Sequence, residues 1–183
     1  MIDTYGGLED VVRDSYAGVV WSHKIQEKQS DIYAEKFKKM ETINIGAASL
    51  TSVGIIAMIF TDPLWLKLIS ALISFATVYI TAYFKSFDLQ KLITSHKATA
   101  NKLISVRDQY KVLLIEIKLQ SDSVENLLSR YNELVKETDS IYLEAPSTTE
   151  EAVDKASEAL KIKKDNTFSD EEIDSFLPSS LRR

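Results

Sequence analysis

The chain has no cysteine, only three prolines, five glycines and two histidines among its 183 residues. Without cysteine there is no disulfide and no thiolate metal site. Two histidines are too few for a multi-histidine metal site within one chain. The glycines make no phosphate-cradling loop, since Gly6-Gly7 stands at the terminus and opens no strand–helix unit. A net charge of −5 gives no electrostatic basis for holding nucleic acid, so no direct nucleic-acid partner is expected. Serine, histidine and aspartate are spread along long helical stretches, with nothing to hold a nucleophile against a base. The chain is therefore expected to be neither an enzyme nor a cofactor binder.

What the chain does have is two apolar runs placed back to back. Ile43 to Phe60 and Leu64 to Phe84 are separated only by Thr61-Asp62-Pro63. Each is close to the ~20 residues that a helix needs to cross a hydrocarbon core. Lys67, near one end, is the only basic residue in either run, and its long stem can reach the polar interface. A surface helix of a soluble bundle carries an apolar stripe on one side. Here the remaining faces are also Leu, Ile, Val and Phe, and no other block is apolar enough to cover them. The expected fold is all-α, an integral membrane two-helix hairpin.

Lysines flank the hairpin on one side of the bilayer. Lys28, Lys36, Lys38 and Lys39 precede the first run, and Lys85, Lys91, Lys97 and Lys102 follow the second. The turn between the runs has one acid and no base. This asymmetry predicts both termini in the cytoplasm. Trp65 at one end, and Tyr79, Tyr83 and Phe84 at the other, suit interfacial belts.

Outside the runs, a seven-residue seam repeats. Before them it passes through Val12, Tyr16, Val19, His23, Gln26, Ser30, Tyr33, Phe37 and Met40. After them it passes through Leu89, Leu92, His96, Thr99, Leu103, Val106, Tyr110, Leu113 and Ile117. No proline interrupts residues 8–42 or 85–119. Two helices winding on each other produce such a repeat. The simplest geometry continues both membrane helices as one antiparallel cytoplasmic stalk. Its polar seam residues set register or partner choice at some cost in stability.

Asp122 with Glu125 has capping-box spacing and predicts a third helix from Ser123 to Leu143. That helix either folds back on the stalk or continues it past a kink. After Pro146 the composition changes. Ser147 with Glu150 predicts a short helix to about Lys163, and Ser169 with Glu172 predicts another over 170–176. Two readings of this tail stay open. One is a weakly ordered, solvated segment. The other is a docking segment anchored by Phe168, Ile173, Phe176 and Leu177. The predicted divisions are 1–42, 43–84, 85–145 and 146–183.

Carried through the first run, the seam falls on Asn44, Ala47, Thr51, Gly54 and Met58, small enough for close helix packing in lipid. In the second run it falls on Leu68, Ala71, Phe75, Val78 and Ala82. Beside it lies a polar stripe of Lys67, Ser70, Ser74, Thr77 and Thr81, continued by Asp88. Hydroxyls at this spacing either bond back to their own helix or line water where several hairpins close into a ring. The second case requires a homo-oligomer.

The stretch Val19 to Tyr33, VVWSHKIQEKQSDIY, leads into a two-span hairpin followed by long helices. It resembles the bacterial two-span effector family called SLATT, most specifically in Trp21-Ser22-His23-Lys24 with Gln26-Glu27-Lys28, over roughly residues 8–143. The resemblance implies an inner-membrane effector that forms pores or perturbs the bilayer in antiphage defence, killing or arresting the infected cell. It also implies a possible partner from the same defence system: a nucleotide cyclase, a SLOG protein or a reverse transcriptase. The other function class left open is a membrane anchor, or scaffold, whose stalk and tail recruit a soluble enzyme.

Overall fold

The computed structural model describes residues 4–60, 64–165 and 167–182, and every regular element among them is helical. The predicted turn Thr61-Asp62-Pro63 lies outside the described residues, as do the side chains of 57–60 and 84–86, and with them Met58 and Phe84. Helix α1, Thr4–Phe60, runs unbroken for 57 residues, from the predicted stalk through the first apolar run. Next come α2, Leu64–Phe87, and α3, Leu89–Leu119. Three shorter helices follow: α4, Val124–Glu144; α5, Glu150–Lys161; and α6, Asp170–Phe176.

The seam assembles the stalk. Every predicted position on α3 is buried except the half-buried Leu92. On α1, Val12, Val19, His23, Gln26 and Ser30 are buried, and Tyr16, Tyr33, Phe37 and Met40 are half-buried. The two helices run antiparallel, with Leu8, Val12 and Val19 packed among Leu103, Val106, Tyr110, Leu113 and Ile117. Helix α4 folds back along them and adds Leu127, Leu134 and Ile141 to the same core. The fold-back is tied by Arg130 to Glu116 at 2.6 Å and by Lys102 to Glu144 at 2.8 Å. Tyr110 Oη also lies 3.3 Å from Thr138 Oγ1. Continuation of the stalk through residue 120 is therefore excluded.

The ends of three helices correct the expected boundaries. Asp88 adopts the left-handed conformation (φ 37°, ψ 58°), so α2 and α3 are separate helices rather than one continuous arm. Its carboxylate accepts from the Lys91 N–H at 3.1 Å and caps α3. Gln120 is left-handed too, at φ 49°. There Ser121 N–H bonds Glu116 O and Gln120 N–H bonds Ile117 O, the paired closure usually built on glycine. The cap of α4 is Ser123, one residue later than predicted, and Asp122 instead accepts from Ser123 N–H and the Asn126 amide. Thr149, not Ser147, caps α5, whereas the reciprocal Ser169–Glu172 box stands as predicted.

The break at Asp88 also resets the seam on α2. Leu68, Ala71, Phe75, Val78 and Ala82 are exposed, and the less exposed line is Leu66, Ser70, Ile73, Thr77 and Ile80. A phase carried across a left-handed residue is lost, and here it is displaced by two positions. On α1, which has no break, Asn44, Ala47, Thr51 and Gly54 are the sheltered positions of their stretch, as predicted. Helices α1 and α2 pack antiparallel. Gly54 and Ser70 meet so closely that a Cβ on residue 54 would lie 2.7 Å from Ser70 Oγ. Lys36 Nζ donates to Tyr83 Oη at 2.7 Å nearer the stalk.

Gln120→Gly removes the Cβ penalty of the left-handed site and is expected to stabilise the stalk by up to about 1 kcal/mol in thermal or denaturant unfolding. Leu113→Ala, at a fully buried core position, is expected to cost about 2–5 kcal/mol in the same assay. An exposed control, Val11→Ala, should stay within roughly 0.5 kcal/mol.

Candidate functional site

Two regions carry the features that a function needs: the outer surface of the α1–α2 pair and a polar junction in the stalk. The α1–α2 surface is apolar almost all round. Ile43, Ile45, Leu50, Val53, Ile55 and Ile56 of α1 are exposed, as are Leu64, Trp65, Leu68, Leu72, Phe75 and Val78 of α2. Among the described residues one segment, Leu64–Tyr83, is long and apolar enough to cross a membrane by length and composition, and almost none of it is buried. Such a contiguous apolar surface is far larger than soluble monomers carry.

Most hydroxyls of this pair bond back to their own helix, and one packs the two helices together. Thr51, Thr77 and Thr81 donate to the carbonyls of Ala47, Ile73 and Thr77, and Ser49 and Ser52 bond back in the same way. This satisfies each donor within its own helix. Ser70 is buried against Gly54, so it packs the pair together and cannot face a lumen in this arrangement. Asp88 leaves the stripe as well, because it caps α3. Of the predicted lining residues, Lys67 and Thr81 are exposed, and Ser74 and Thr77 are half-buried. Lys67, Ser74 and Thr81, seven apart, mark the polar line left on the outside of α2.

The polar junction is built on residues 21–30 of α1. At ~1.5 Å per residue it lies ~20–33 Å along α1 from the first apolar run. Here α4 ends, the chain turns at Ala145–Thr149, and α5 runs back antiparallel along α1. Gln26 Oε1 lies 2.6 Å from His96 Nδ1 of α3, while its Nε2 donates to Pro146 O at 3.2 Å. Gln29 Oε1 accepts from both Thr149 N–H (2.7 Å) and Thr149 Oγ1 (2.9 Å), holding the start of α5. Ser30 Oγ donates to Ile93 O, and Tyr142 Oη donates to Ser22 Oγ.

At the other end of α5, Lys161 Nζ stands 5.5 Å from the centroid of the Trp21 ring. Lys24 is 2 % exposed, yet it is paired with Glu27 at 2.9 Å and with Asp165 at 3.5 Å. A cation this buried requires such partners. Residues 146–165 are thus a packed part of the stalk, not a solvated tail. The last predicted anchors differ: Phe168, Ile173 and Phe176 are exposed and Leu177 is half-buried. Phe168 and Phe176 meet edge to face at 6.5 Å.

The seam pattern found Gln26, Ser30, His23 and His96, but it missed Lys24, Gln29, Thr149 and Asp165. Lys24 and Gln29 lie off the α1–α3 seam, on the side of α1 that α5 covers. A polar lysine and glutamine give no periodic apolar signal. The signature run Trp21-Ser22-His23-Lys24 was visible as a motif, and its place at this junction supplies its physical reason.

Both histidines are held neutral. Burial pushes His96 below its usual value, and its Nε2 has no hydrogen-bond partner. Burial also lowers His23, with Lys24 and Arg107 acting in the same direction against Glu27 and Asp108. The unfolded chain takes up these protons near the ordinary value of 6.5, and the folded chain only at lower pH. Stability is therefore complete above about 6.5 and is lost as pH falls from there towards the depressed folded values.

Residues 8–172 match the sequence profile of the SMODS and SLOG-associating 2TM effector domain family 4. The match extends past the resemblance seen in the motif, and takes in α5 and the first turn of α6. No curated protein and no solved structure matches the chain.

In detergent-purified protein, the melting temperature is expected to fall between pH 7.5 and pH 5.5. The fall should be smaller in the His23→Gln/His96→Gln double variant. Equal falls in the two proteins would remove the role assigned to the buried imidazoles.

Proposed function

Because the chain belongs to the SLATT family of two-span effectors, we propose that it is an oligomeric pore-forming or bilayer-disrupting effector of bacterial antiphage defence. It acts without enzymatic chemistry. Several α1–α2 hairpins cross the inner membrane, with both termini in the cytoplasm as the flanking lysines require. The observation that carries this reading is the outer surface of the hairpin, apolar nearly everywhere and broken along α2 by Lys67, Ser74 and Thr81. Lipid suits the apolar surface, and a line of one lysine and two hydroxyls marks the side on which water or a neighbouring hairpin would be met. One hairpin encloses nothing, so the reading requires further copies around a shared axis. Depolarisation of the infected cell follows from such an opening.

The trigger reaches the effector from outside the hairpin, through the stalk. The family's association with SMODS and SLOG systems supports an upstream partner from such a defence system, which we take to be a nucleotide cyclase, a SLOG protein or, on the resemblance alone, a reverse transcriptase. A second reading, a membrane scaffold that recruits such a partner, draws on α6. That acidic helix and the residue before its cap expose Phe168, Ile173 and Phe176 beside Asp170, Glu171, Glu172 and Asp174, which suits a basic-rimmed apolar groove.

The two readings separate on membrane potential. Bacteria expressing the chain with its neighbouring genes, under phage challenge, are expected to depolarise and arrest. The triple variant Lys67→Leu/Ser74→Leu/Thr81→Leu should lose both effects at equal membrane abundance. A membrane that stays polarised in wild type and variant alike would sink the pore and leave the scaffold.

A further inference from the structure

Helix α5 is held to α1 unlike the rest of the stalk. Between α1, α3 and α4 a continuous cluster of Leu, Val, Ile and Tyr is buried, beside the polar His23, Gln26, Ser30, His96 and Thr99. What α5 buries is three methyls, on Ala152, Ala156 and Ala159. Methyls remove little apolar area from water. Polar contacts at the two ends fix α5 instead: Gln29 with Thr149 and Gln26 with Pro146 at the start, Lys24 with Asp165 and Trp21 with Lys161 at the finish. Polar contacts transfer readily to an equivalent polar partner, whereas a packed leucine ladder does not. The closed position is not fully satisfied either, because Gln29 Nε2 is buried with no hydrogen-bond partner.

The connection also favours movement as a unit. Ala145 ends α4 in an extended conformation, and Pro146 cannot continue a helix. Residues 146–165 can leave α1 without opening the α1–α3–α4 core. Leaving has a cost, because it strands the Gln29 carbonyl and the Gln26 amide and takes from the buried Lys24 one of its two carboxylates, leaving Glu27 alone. A replacement has to supply a carbonyl, an N–H beside a hydroxyl, and a carboxylate at the same spacing along α1. The same segment of a second copy carries that set. Exchange of identical elements between protomers is a low-cost route to assembly.

We propose that residues 146–165 are an exchangeable strap, closed on their own α1 in the single chain and seated on the α1 of a neighbouring copy in the assembled effector. The proposal rests on the oligomeric reading above and names the contact that makes the oligomer. At rest the strap is autoinhibitory, since it fills the face that a neighbour's strap takes.

The absence of cysteine makes this directly testable, because introduced thiols are the only ones present. Full-length Gln29→Cys and Thr149→Cys chains, differently tagged, are co-expressed in bacterial membranes and treated with a short bis-maleimide. The expected result is a cross-linked heterodimer at least ten-fold above that of a Gln29→Cys and Glu133→Cys pair. A second pair, Val20→Cys with Leu160→Cys, uses side chains that line the cavity between α1 and the end of α5. It leaves every polar contact of the strap in place and should give the same result. The double variant Val20→Cys/Leu160→Cys in one chain, once linked within itself, should no longer associate.

Chains that associate, as seen with an amine-reactive cross-linker, but give no strap-to-α1 product between copies would overturn the exchange. So would an internally linked chain that assembles like wild type. Chains that never associate would overturn the exchange together with the oligomeric reading. Exchange seen in cells whose membrane stays polarised would keep the strap and remove the pore.

Discussion

Everything else in the structure is hung on one uninterrupted hydrogen-bond ladder, that of α1. At ~1.5 Å per residue its 57 residues span ~85 Å. Helix α2 packs on its far end, α3 on one side of its N-terminal half, and α4 and α5 on the others. A helix of this length without proline transmits position along its axis. All five glycines of the chain lie within it, and each of the three beyond its first turn, Gly18, Gly46 and Gly54, costs about 1 kcal/mol of helix propensity relative to alanine. Packing against neighbours at both ends offsets that cost, and Gly54 returns a close approach to Ser70 in exchange.

The stalk uses two kinds of interface for two purposes. The ladder from Leu8 to Ile117 is apolar and sets stability. The layer around Gln26, Gln29, Lys24 and His96 is polar, and its gain in stability is small once desolvation is counted. Its effect is selectivity: a glutamine that must meet both a histidine and a proline carbonyl admits one register of α1, α3 and the α4–α5 turn. A sliding error of one heptad would keep the leucines covered but would part Gln26 from His96 and Pro146 and Lys24 from Asp165.

Much of the fold was legible in the sequence wherever a helix was continuous. The seam predicted α3 almost residue by residue, and on α1 it held from Val12 to Gly54, because no break disturbs the phase. The failures have one cause. Asp88 and Gln120 break the helical course in the left-handed conformation, where glycine or asparagine is the usual signal. With other residues in those places, the chain looks helical straight through. The displaced seam on α2 and the undecided course of α4 both follow from that. The α5 contact was hidden for another reason: its buried face is alanine, which reads the same in a solvated helix. For the candidate site, the motif around Trp21 was visible but its partners were not, since they lie more than 100 residues away in sequence.

The two arms leaving the stalk for the hairpin are mechanically unequal. The outgoing arm is a rod with no joint between residue 4 and residue 60, and the returning arm has a single-residue swivel at Asp88. One unbroken helical ladder joins residues 21–30 to the first apolar segment, whereas the path through α3 crosses the left-handed break at Asp88 before it reaches the second. A displacement of the stalk that followed α1 alone would fall on the hairpin as a shear between its two helices, across the Gly54–Ser70 contact.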